Sequence, residues 1–438
     1  MKRTFNSNTV VFLMVLGLVS SCYEEIEVDP ERYDPYLKFN DVSCGMDINR
    51  GMLLVPVNRE MLSPFQALIE TNLKDLTING NPCRSGESIL FGSLTDSIPV
   101  SFTTLNEQYC QGYLHFTTLP VIQVDCPEVI VDEPKNYCRL MLSGYQKYFG
   151  GFSRTFDAGI ELRGRSASSR PKKSYGFEIL TDSFGTDKKN ASLLNMRNDD
   201  DWILDAMYID KARMRNKVSM DLWGDICTLS SSEKYIGKPY TESRFVELFI
   251  NMDYKGLYCL SERFDRKQLN LERSEESPDG LLYKTEYWSN TTRFISLADT
   301  TANEYWDGWE QKYPATDDYI YWYPIYNFSE FVVNSTDEEF RDHITDYLDI
   351  SNMIDYFIFI NTCQAFDNMG TNMFYARNDR NSPFVIYPWD LDASWGRNWD
   401  STLLSATIYL SNKFIERMYT LNVENCTMDL KEHWNYLR

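Results

Sequence analysis

One segment near the C-terminal end is the most informative part of this chain, and it begins Asp367-Asn368-Met369-Gly370-Thr371-Asn372. Two short apolar runs follow at residues 373–376 and 384–387, separated by a turn rich in Asn and Asp, and then come Asp390 and Asp392. Such a pattern predicts a β-hairpin that returns the second acidic turn to the side of the first. Mg²⁺ is bound by hard oxygen ligands of this kind. The segment therefore predicts a magnesium site beside a carboxylate that orients an attacking oxygen, as phosphoryl transfer requires.

The spacing of Asp367 and Asn372 also matches a known catalytic loop. In protein kinases an Asp-x-x-x-x-Asn segment supplies an Asp that receives the proton of the substrate hydroxyl and an Asn that binds Mg²⁺. We therefore expect Asp367 to be catalytic, and Asn372 and Asp390 to bind the metal. Asp392 either binds a second Mg²⁺ or accepts hydrogen bonds from its own turn, and an Asx-rich loop without chemistry is the alternative for the whole set.

Cations suited to phosphate occur upstream of the acidic segment. Arg163-Gly164-Arg165-Ser166 begins a loop between predicted strands, and its guanidinium and hydroxyl groups fit phosphate oxygens, although a solvated turn is the alternative. On the strand that follows, period-two alternation places Lys173 on the face of Tyr175 and Phe177. Lys173 is therefore the first choice for holding the ATP phosphates and Lys172 the second, against a lysine that merely extends from a packed strand.

These motifs together resemble the spore-coat-protein-H (CotH) family of atypical kinases. The resemblance runs from about Leu119 to the C-terminus and rests on separated motifs that occur in the family's order. These motifs are Arg163-Gly164-Arg165-Ser166, Pro171-Lys172-Lys173-Ser174-Tyr175, Asp210 with Arg215-Asn216, the hairpin from Val246 to Glu262, Asp367 with Asn372, and the segment Pro388 to Gly396. It implies a two-lobed kinase-like domain, ATP and Mg²⁺ as cofactors, and Ser or Thr of a protein as acceptor. It also implies that Arg215 steadies the cleft through a carboxylate, and that Glu262 lies between the lobes, either binding the cofactor or capping its hairpin.

The N-terminal end has the pattern of an export signal. Lys2 and Arg3 precede an apolar run at residues 10–19 and then Ser20-Ser21-Cys22, which is typical of a bacterial lipoprotein. We expect residues 1–21 to be removed and Cys22 to be lipidated, which tethers an exported protein to a bacterial membrane. Acidic residues at positions 24, 25 and 27 favour the cell surface. An ordinary secretory signal with an incidental cysteine is the alternative.

Composition excludes several classes of partner and site. The chain has 64 acidic and 43 basic residues and a net charge of −21, which disfavours nucleic acid as a partner. Its three histidines lie far from any nucleophile pattern and no Cys-x-x-Cys occurs, so neither a His-based triad nor a zinc site is expected. An exported location permits disulfides, most favourably among the cysteines at 44, 83, 110, 126 and 138, with the pairing left open.

The pattern along the chain predicts an α+β protein. A small β-sandwich domain is expected at residues 22–117, and a two-lobed atypical protein-kinase-like domain at residues 118–438. Helices are expected from Trp202 to Trp223 and from Ser335 to Phe366, the second with Ser335 as N-cap and Glu338 as its capping-box partner. The aromatic stretch at residues 289–334 is expected to be packed, with a sugar- or peptide-binding surface as the alternative. The helical pattern runs to Arg438 without a stop signal, which favours a helical lobe that is incomplete in this chain.

The sequence thus predicts an exported, lipid-anchored, Mg²⁺-dependent kinase that transfers the γ-phosphate of ATP to Ser or Thr of a protein. Two other classes stay open. One is a kinase-like domain without turnover that serves as a surface attachment or assembly module, which the scarcity of ATP outside the cytoplasm favours. The other is a carbohydrate-binding lipoprotein that uses the aromatic stretch.

Overall fold

The computed structural model describes residues 35–58, 64–146, 150–164, 169–183, 185, 187–229, 235–271, 279–300, 303–317, 319–405 and 407–437. The predicted export signal, Cys22 and Ser166 lie outside these residues. Strands and helices both occur in the described part, so the predicted α+β class is confirmed. No helix in it combines the length and the apolar character that crossing a bilayer requires.

The N-terminal part, residues 35–117, forms two β-sheets that share one hydrophobic cluster. The 4-stranded sheet has the order β2-β1-β5-β8 and the 6-stranded sheet the order β3-β4-β10-β9-β6-β7. Strand β5 shows why these segments form strands, because Phe65, Ala67 and Ile69 are buried while the residues between them are exposed. Its assignment as a separate sandwich domain stays a prediction. The strand bounds are β1 Leu37–Phe39, β2 Val42–Ser43, β3 Gly45–Asp47, β4 Met52–Pro56, β5 Phe65–Thr71, β6 Lys74–Ile78, β7 Asn81–Pro82, β8 Ser88–Phe91, β9 Ile98–Thr103 and β10 Tyr109–Thr117.

The next part of the chain closes a β-barrel in the order β11-β12-β13-β14-β17-β19-β18. A parallel pairing of β11 with β18 completes the closure. Alternate residues of the strands, such as Leu140, Phe177 and Leu260, fill the interior. The strand bounds are β11 Val121–Asp125, β12 Asn136–Gln146, β13 Gly150–Arg163, β14 Ser174–Ile179, β15 Ala191–Ser192, β16 Asn198–Asp199, β17 Asp201–Asp205, β18 Ser243–Ile250 and β19 Asp253–Glu262, of which β15 and β16 form a separate two-stranded sheet.

The helix predicted from Trp202 to Trp223 is wrong in its first half. Trp202, Ile203 and Leu204 lie in β17, and helix α1 spans only Arg215–Leu229. These three side chains are 0%, 5% and 0% exposed. A continuous apolar run that is buried on both faces belongs to a strand of a closed barrel, whereas an amphipathic helix alternates its buried positions every three or four residues.

The C-terminal part joins a 5-stranded sheet, with the order β21-β22-β20-β23-β24, to helices around a third core. Trp223, Tyr356 and Tyr387 are among the large side chains buried in it. The strands are β20 Leu281–Thr285, β21 Tyr305–Trp306, β22 Trp309–Tyr313, β23 Met373–Arg377 and β24 Val385–Pro388. The helices are α2 Tyr323–Asn334, α3 Asp337–His343, α4 Ile350–Cys363, α5 Lys413–Leu421 and α6 Cys426–Leu437, with 3₁₀ turns at Ile344–Asp346, Asp367–Met369 and Val423–Asn425.

The helical and aromatic predictions for residues 289–366 are correct in type but not in detail. Trp306, Trp309 and Phe328 are 0% exposed, as expected of a packed stretch. The stretch also contains α2, which was not predicted. The N-cap of α3 is Thr336 with Glu339 as its capping-box partner, not Ser335 with Glu338. The shift has a physical reason. The backbone N–H of Ser335 donates to the carbonyl oxygen of Phe331 at the end of α2, so it is not available to a capping-box partner.

A seam of polar and apolar contacts joins the N-terminal sheets to the barrel. Asp47 is 1% exposed, and its carboxylate accepts hydrogen bonds from the backbone N–H of Arg50 at 2.9 Å and of Tyr254 at 3.0 Å. Beside it, Leu54 packs against Val121 and Phe249. The sheets therefore contact both the first strand of the barrel and the β18–β19 hairpin.

The cysteines of the described residues are free thiols. The structure therefore contains none of the disulfides that an exported location permits.

Candidate active site

The β23–β24 hairpin brings the two acidic turns together. These turns are residues 367–372 and 390–392. Met373 pairs with Pro388, and the backbone N–H of Trp389 donates to the carbonyl oxygen of Asn372 at 2.9 Å. The predicted hairpin is thus confirmed, and Asp390 follows directly on the strand that returns to the first turn.

Asn368, which the sequence analysis did not single out, ties the two acidic turns to each other. Its side chain is 0% exposed, and its Nδ2 donates to the carbonyl oxygens of Asn372 at 2.8 Å and Trp389 at 2.9 Å. The Tyr356 hydroxyl donates to the Asn368 carbonyl oxygen at 2.6 Å. One carboxamide thus uses both of its N–H groups to fix the separation of the turns.

Asp367 lies at the buried start of the first turn. It opens the 3₁₀ turn Asp367–Met369, and only 8% of its surface is exposed. Burial raises the pKa of the Asp367 carboxyl, and a hydrogen bond from Trp288 acts in the opposite direction. A carboxylate with a raised pKa is a better proton acceptor than an ordinary one.

Asp390 carries a carboxylate that no described residue hydrogen-bonds or pairs with. The residue as a whole is exposed, although enough protein surrounds the carboxylate to desolvate it in part. This partial desolvation, together with the charge of Asp205, raises the pKa of Asp390 to about 6, although Lys284 and Arg163 act against the shift. Desolvation and the Asp390 charge likewise raise the pKa of Asp392, which accepts a hydrogen bond within its own turn from Ala393.

Asn372 presents a second unused oxygen beside Asp390. Its backbone is left-handed, with φ of 57°, and its N–H donates to the carbonyl of Thr285 at 2.8 Å. Within the described residues nothing hydrogen-bonds to its carboxamide. The same residues contain no group of three His, Cys, Asp or Glu side chains arranged to bind a metal ion. The predicted ligands are of a different kind, because they combine two carboxylates with one carboxamide, and crowded carboxylates that raise each other's pKa fit a divalent cation.

Asp205, at the end of β17, is a further carboxylate within electrostatic reach of the acidic turns, and no motif in the sequence indicated it. Its charge raises the pKa of both Asp390 and Asp392. Asn216, near the start of α1, links it to the second acidic turn, because Asn216 Oδ1 accepts from the Leu391 N–H at 3.1 Å and Nδ2 donates to Asp205 at 3.5 Å. The expected helix through residue 205 concealed this contact, since only a strand end places Asp205 at the rim of the barrel.

Two cations face the acidic turns from different sheets. Arg163 ends β13 and is close enough for Asp390 and Asp205 to raise its pKa, although burial and the neighbouring Arg263 lower that pKa overall. Lys284, on β20 beside β23, lowers the pKa of Asp390 and forms an ion pair with Glu286. The structure thus brings the predicted Arg163 to the site and adds Lys284, which no motif indicated.

The two predicted lysines differ in their surroundings. Lys172 is turned inward, where Nζ donates to the carbonyls of Ala206 at 3.1 Å and Leu257 and lies 4.1 Å from the centre of the Tyr258 ring. Burial, with Arg213 in support, lowers the pKa of Lys172 to about 8. Strand β14 begins only at Ser174, so the alternation that favoured Lys173 does not extend to it. Because Lys172 Nζ is already held by two backbone carbonyls, the choice between Lys173 and Lys172 as the phosphate contact stays a prediction.

Asp210 and Arg215 organise the start of α1. Asp210 is 3% exposed and accepts hydrogen bonds from the N–H groups of Ala212, Met214 and Arg215 at 2.9, 2.7 and 2.8 Å. Despite burial, these bonds and the Arg215 charge lower the pKa of Asp210. Arg215 also forms an ion pair with it, which is the carboxylate pair that the resemblance implied.

Glu262 is separated from the acidic turns by its own partners. It is 0% exposed, pairs with Lys238 at 2.8 Å, and accepts from the backbone N–H groups of Arg197 and Glu242, both at 2.8 Å. Both carboxylate oxygens are occupied. This geometry favours the structural alternative for Glu262 over contact with a cofactor.

Comparison with known proteins assigns the chain to a family. The family model described as CotH kinase protein matches residues 160–432, which is more than half of the chain. The protein therefore belongs to the CotH family, as the resemblance indicated. It is also similar to the inner spore coat protein H of Bacillus subtilis (strain 168), with 26% identity over 196 residues that cover 44% of this chain and 50% of that protein. The chain thus spans about half the length of this curated relative.

Proposed function

We propose that this protein is an atypical kinase that transfers the γ-phosphate of ATP to a Ser or Thr hydroxyl of a protein. The family name supports kinase chemistry. The observation that carries the proposal is that Asp390 and Asn372 keep oxygens unused by the described residues, although the hairpin and Asn368 hold them in place beside Asp367. Asp390 also lies within reach of the charges of Asp205 and Asp367, and a divalent cation would compensate such a cluster of acids.

Asn372, Asp390 and Asp392 would hold Mg²⁺. A bound divalent cation would relieve the repulsion that raises the pKa of Asp390 and Asp392. When bound, Mg²⁺ neutralises charge on the β- and γ-phosphates during transfer.

Asp367 would orient the acceptor hydroxyl and take its proton. Its buried position keeps competing water away from the carboxylate, and its raised pKa suits proton transfer. Arg163 and Lys284, with Lys173 or Lys172, would meet the phosphates of ATP.

We also propose that the barrel and the C-terminal part are the two lobes of a kinase-like domain. Arg163 and Asp205 come from the barrel, while Lys284, Asp367 and Asp390 come from the C-terminal part. Their mutual effects on pKa place these charges within electrostatic reach of one another. Nucleotide bound at this junction would contact both lobes.

A binding or assembly module without turnover is the second candidate. The curated relative is by its name a coat protein, which favours a structural function. The unpaired oxygens of Asp390 and Asn372 argue against it, because assembly alone does not require them.

The test uses purified protein, Mg²⁺, γ-labelled ATP and a general protein acceptor such as casein. We expect label on the acceptor or on the protein itself, and none with Asp390→Ala. The matched control is Asp342→Asn, an exposed residue of α3, which should retain full transfer. Nucleotide binding without transfer would favour the second candidate, and absence of both would contradict the kinase proposal.

Export and anchoring form a separate proposal. Lipidation of Cys22 would tether the protein to a bacterial membrane and present it to protein substrates outside the cytoplasm. Intact mass and detergent partitioning test it, since Cys22→Ala should abolish both the added lipid mass and the partitioning.

A further inference from the structure

Cys126 and Cys138 face each other at one rim of the barrel. Strands β11 and β12 are antiparallel, and Val124 pairs with Leu140 and Asp125 with Arg139. The next position along this register sets Cys126 opposite Cys138. Both side chains belong to the cluster that fills the barrel, and they are 1% and 0% exposed. The two thiols therefore lie on the same face of neighbouring strands.

The backbone of Cys126 shows which kind of cross-strand pair this is. Its N–H donates to Asn251 Oδ1 at 2.8 Å, and its carbonyl oxygen accepts from Asn251 Nδ2 at 2.9 Å. Both groups thus point toward the turn after β18 and away from β12. Cys126 and Cys138 therefore form a non-hydrogen-bonded pair, in which the Cα atoms are about 4.5 Å apart. Disulfides occur at Cα separations of about 4.4–6.8 Å, so no backbone movement is needed to link them.

The surroundings of the thiols restrict when they can react. Cys126 Sγ donates to the carbonyls of Glu128 at 3.3 Å and Tyr137 at 3.5 Å, and so stays next to the strand that carries Cys138. Burial and the proximity of Cys126 raise the pKa of Cys138, which keeps it protonated in the closed barrel. Since the thiolate is the reactive form, linkage has to occur while β11 and β12 are still open to solvent.

Other cysteines in the β-sheets have no cysteine as their cross-strand neighbour. Cys110 lies opposite Phe102 on β9, and Cys259 lies between Phe245 on β18 and Asp205 on β17. Neither has a thiol across from it, so each serves as a control for the pair.

We propose that Cys126 and Cys138 are a disulfide site that closes during folding in an oxidising compartment. One thiolate attacks a sulfur of an oxidant disulfide and releases one oxidant thiol. The second cysteine then displaces the other oxidant sulfur, so that two cysteine thiols become one disulfide and the oxidant is reduced to two thiols. The bond encloses residues 127–137 and fixes β11, whose other edge pairs with β18 to close the barrel.

The test refolds the full chain from denaturant in a buffer of reduced and oxidised glutathione. Free thiols are then alkylated in denaturant, and the protein is digested with trypsin and Asp-N. We expect a linked pair of peptides, residues 125–131 joined to residues 136–139, which reduction separates. Full alkylation of both cysteines, or linkage of either to a different cysteine, would overturn the proposal.

Variants give an independent measurement. Cys126→Ala and Cys138→Ala should each remove the linked peptides, whereas Cys110→Ala should leave them unchanged. In the wild type, reduction should lower the Tm by about 5 °C, because a short closed loop no longer restricts the unfolded chain. The same reduction should not change the Tm of Cys138→Ala, and an equal loss in that variant would contradict the assignment.

Discussion

Two groups of carboxylates in this protein differ in how their charges are compensated. The first group, here called the ion-pair network, is built around buried acids with close cations, and its members are Arg197, Asp199, Asp200, Lys238, Glu262, Asp265 and Lys267. Lys267 lies 2.6 Å from Asp199, Arg197 lies 3.1 Å from Asp265, and Lys238 lies 2.8 Å from Glu262. In the acidic turns, by contrast, Asp390 has no partner among the described residues and its pKa is raised to about 6.

We expect this difference to separate acids that hold the fold from acids that are proposed to bind a cation. Glu262 and Asp390 both stand at or just beyond a strand end, and both were candidate site residues. The two differ in burial and in the number of donors around them, because Glu262 is buried and saturated, whereas Asp390 is exposed and accepts from no described residue. Substitutions in the two groups should therefore affect different properties, stability in one and catalysis in the other.

The largest expected effect is on catalysis, from Asp367→Asn. Removal of the proton acceptor should lower kcat for phosphoryl transfer about 10³-fold. The affinity for ATP should stay within about twofold, because Asp367 is not among the groups proposed to contact phosphate. Single-turnover transfer and equilibrium nucleotide binding separate the two quantities. An equal loss of both would show that the substitution perturbs the fold rather than the chemistry.

Glu262→Gln should give the next largest effect, this time on stability. Loss of the negative charge leaves Glu242, 3.0 Å away, as the remaining ion-pair partner of Lys238 among the described residues. We expect the free energy of unfolding to fall by about 2 to 3 kcal/mol, measured by urea denaturation. Nucleotide binding by the folded fraction should be unchanged. Glu338→Gln, at an exposed position of α3, is the matched control and should change stability by less than about 0.5 kcal/mol.

Asn368→Ala should weaken the site without removing any proposed ligand. The two acidic turns would lose the hydrogen bonds that join them, so that the separation of Asp367 from Asp390 is no longer fixed. We expect kcat to fall about 30-fold through misplacement of the reacting groups. Retention of full activity would mean that the hairpin alone positions the turns.

The smallest expected effect on stability comes from Asp390→Asn, which should abolish transfer as Asp390→Ala does and should also give a gain in stability that depends on pH. Because the folded protein raises the pKa of Asp390 from its ordinary value of 3.8 to about 6, the ionised carboxylate costs stability above pH 6 and costs none below pH 3.8. After allowance for solvent screening, the variant should gain about 1 kcal/mol at pH 8 and nothing at pH 3.5. Mg²⁺ should raise the Tm of the wild type but not of the variant. A loss of stability at pH 8 would show that the carboxylate is compensated after all.

The acidic segment, residues 367–392, shows how much of the site a local sequence pattern can predict. Its apolar runs and Asx-rich turn specified the hairpin, and the hairpin by itself brings Asp390 back to Asn372. Nothing in the sequence of this segment indicated that the Asn368 side chain joins the two acidic turns. A polar residue in a turn is normally solvated, and its complete burial follows from packing against Tyr356, which comes from α4.

The features that the sequence did not predict depend on where strands begin and end and on which strands pair, and a local pattern does not reveal either. Because strand β17 is apolar on both faces, its sequence lacks the alternation that identifies a strand. The position of Asp205 at a strand end could therefore not be predicted. The preference for Lys173 over Lys172 extended the alternation of β14 one residue beyond its observed start at Ser174, and the choice between the two lysines stays a prediction. Lys284 carries no local signal, because its place near Asp390 depends on the pairing of β20 with β23 across about 90 residues of chain.

Asp47 helps to hold the N-terminal sheets in position against the barrel. The N–H group that it holds belongs to Tyr254 in β19, and β19 pairs with β18, the strand that completes the barrel. A shift of the sheets would therefore strain the closure of the barrel itself. The N-terminal sheets therefore keep one orientation relative to the barrel, set by a buried carboxylate and by the apolar contacts of Leu54.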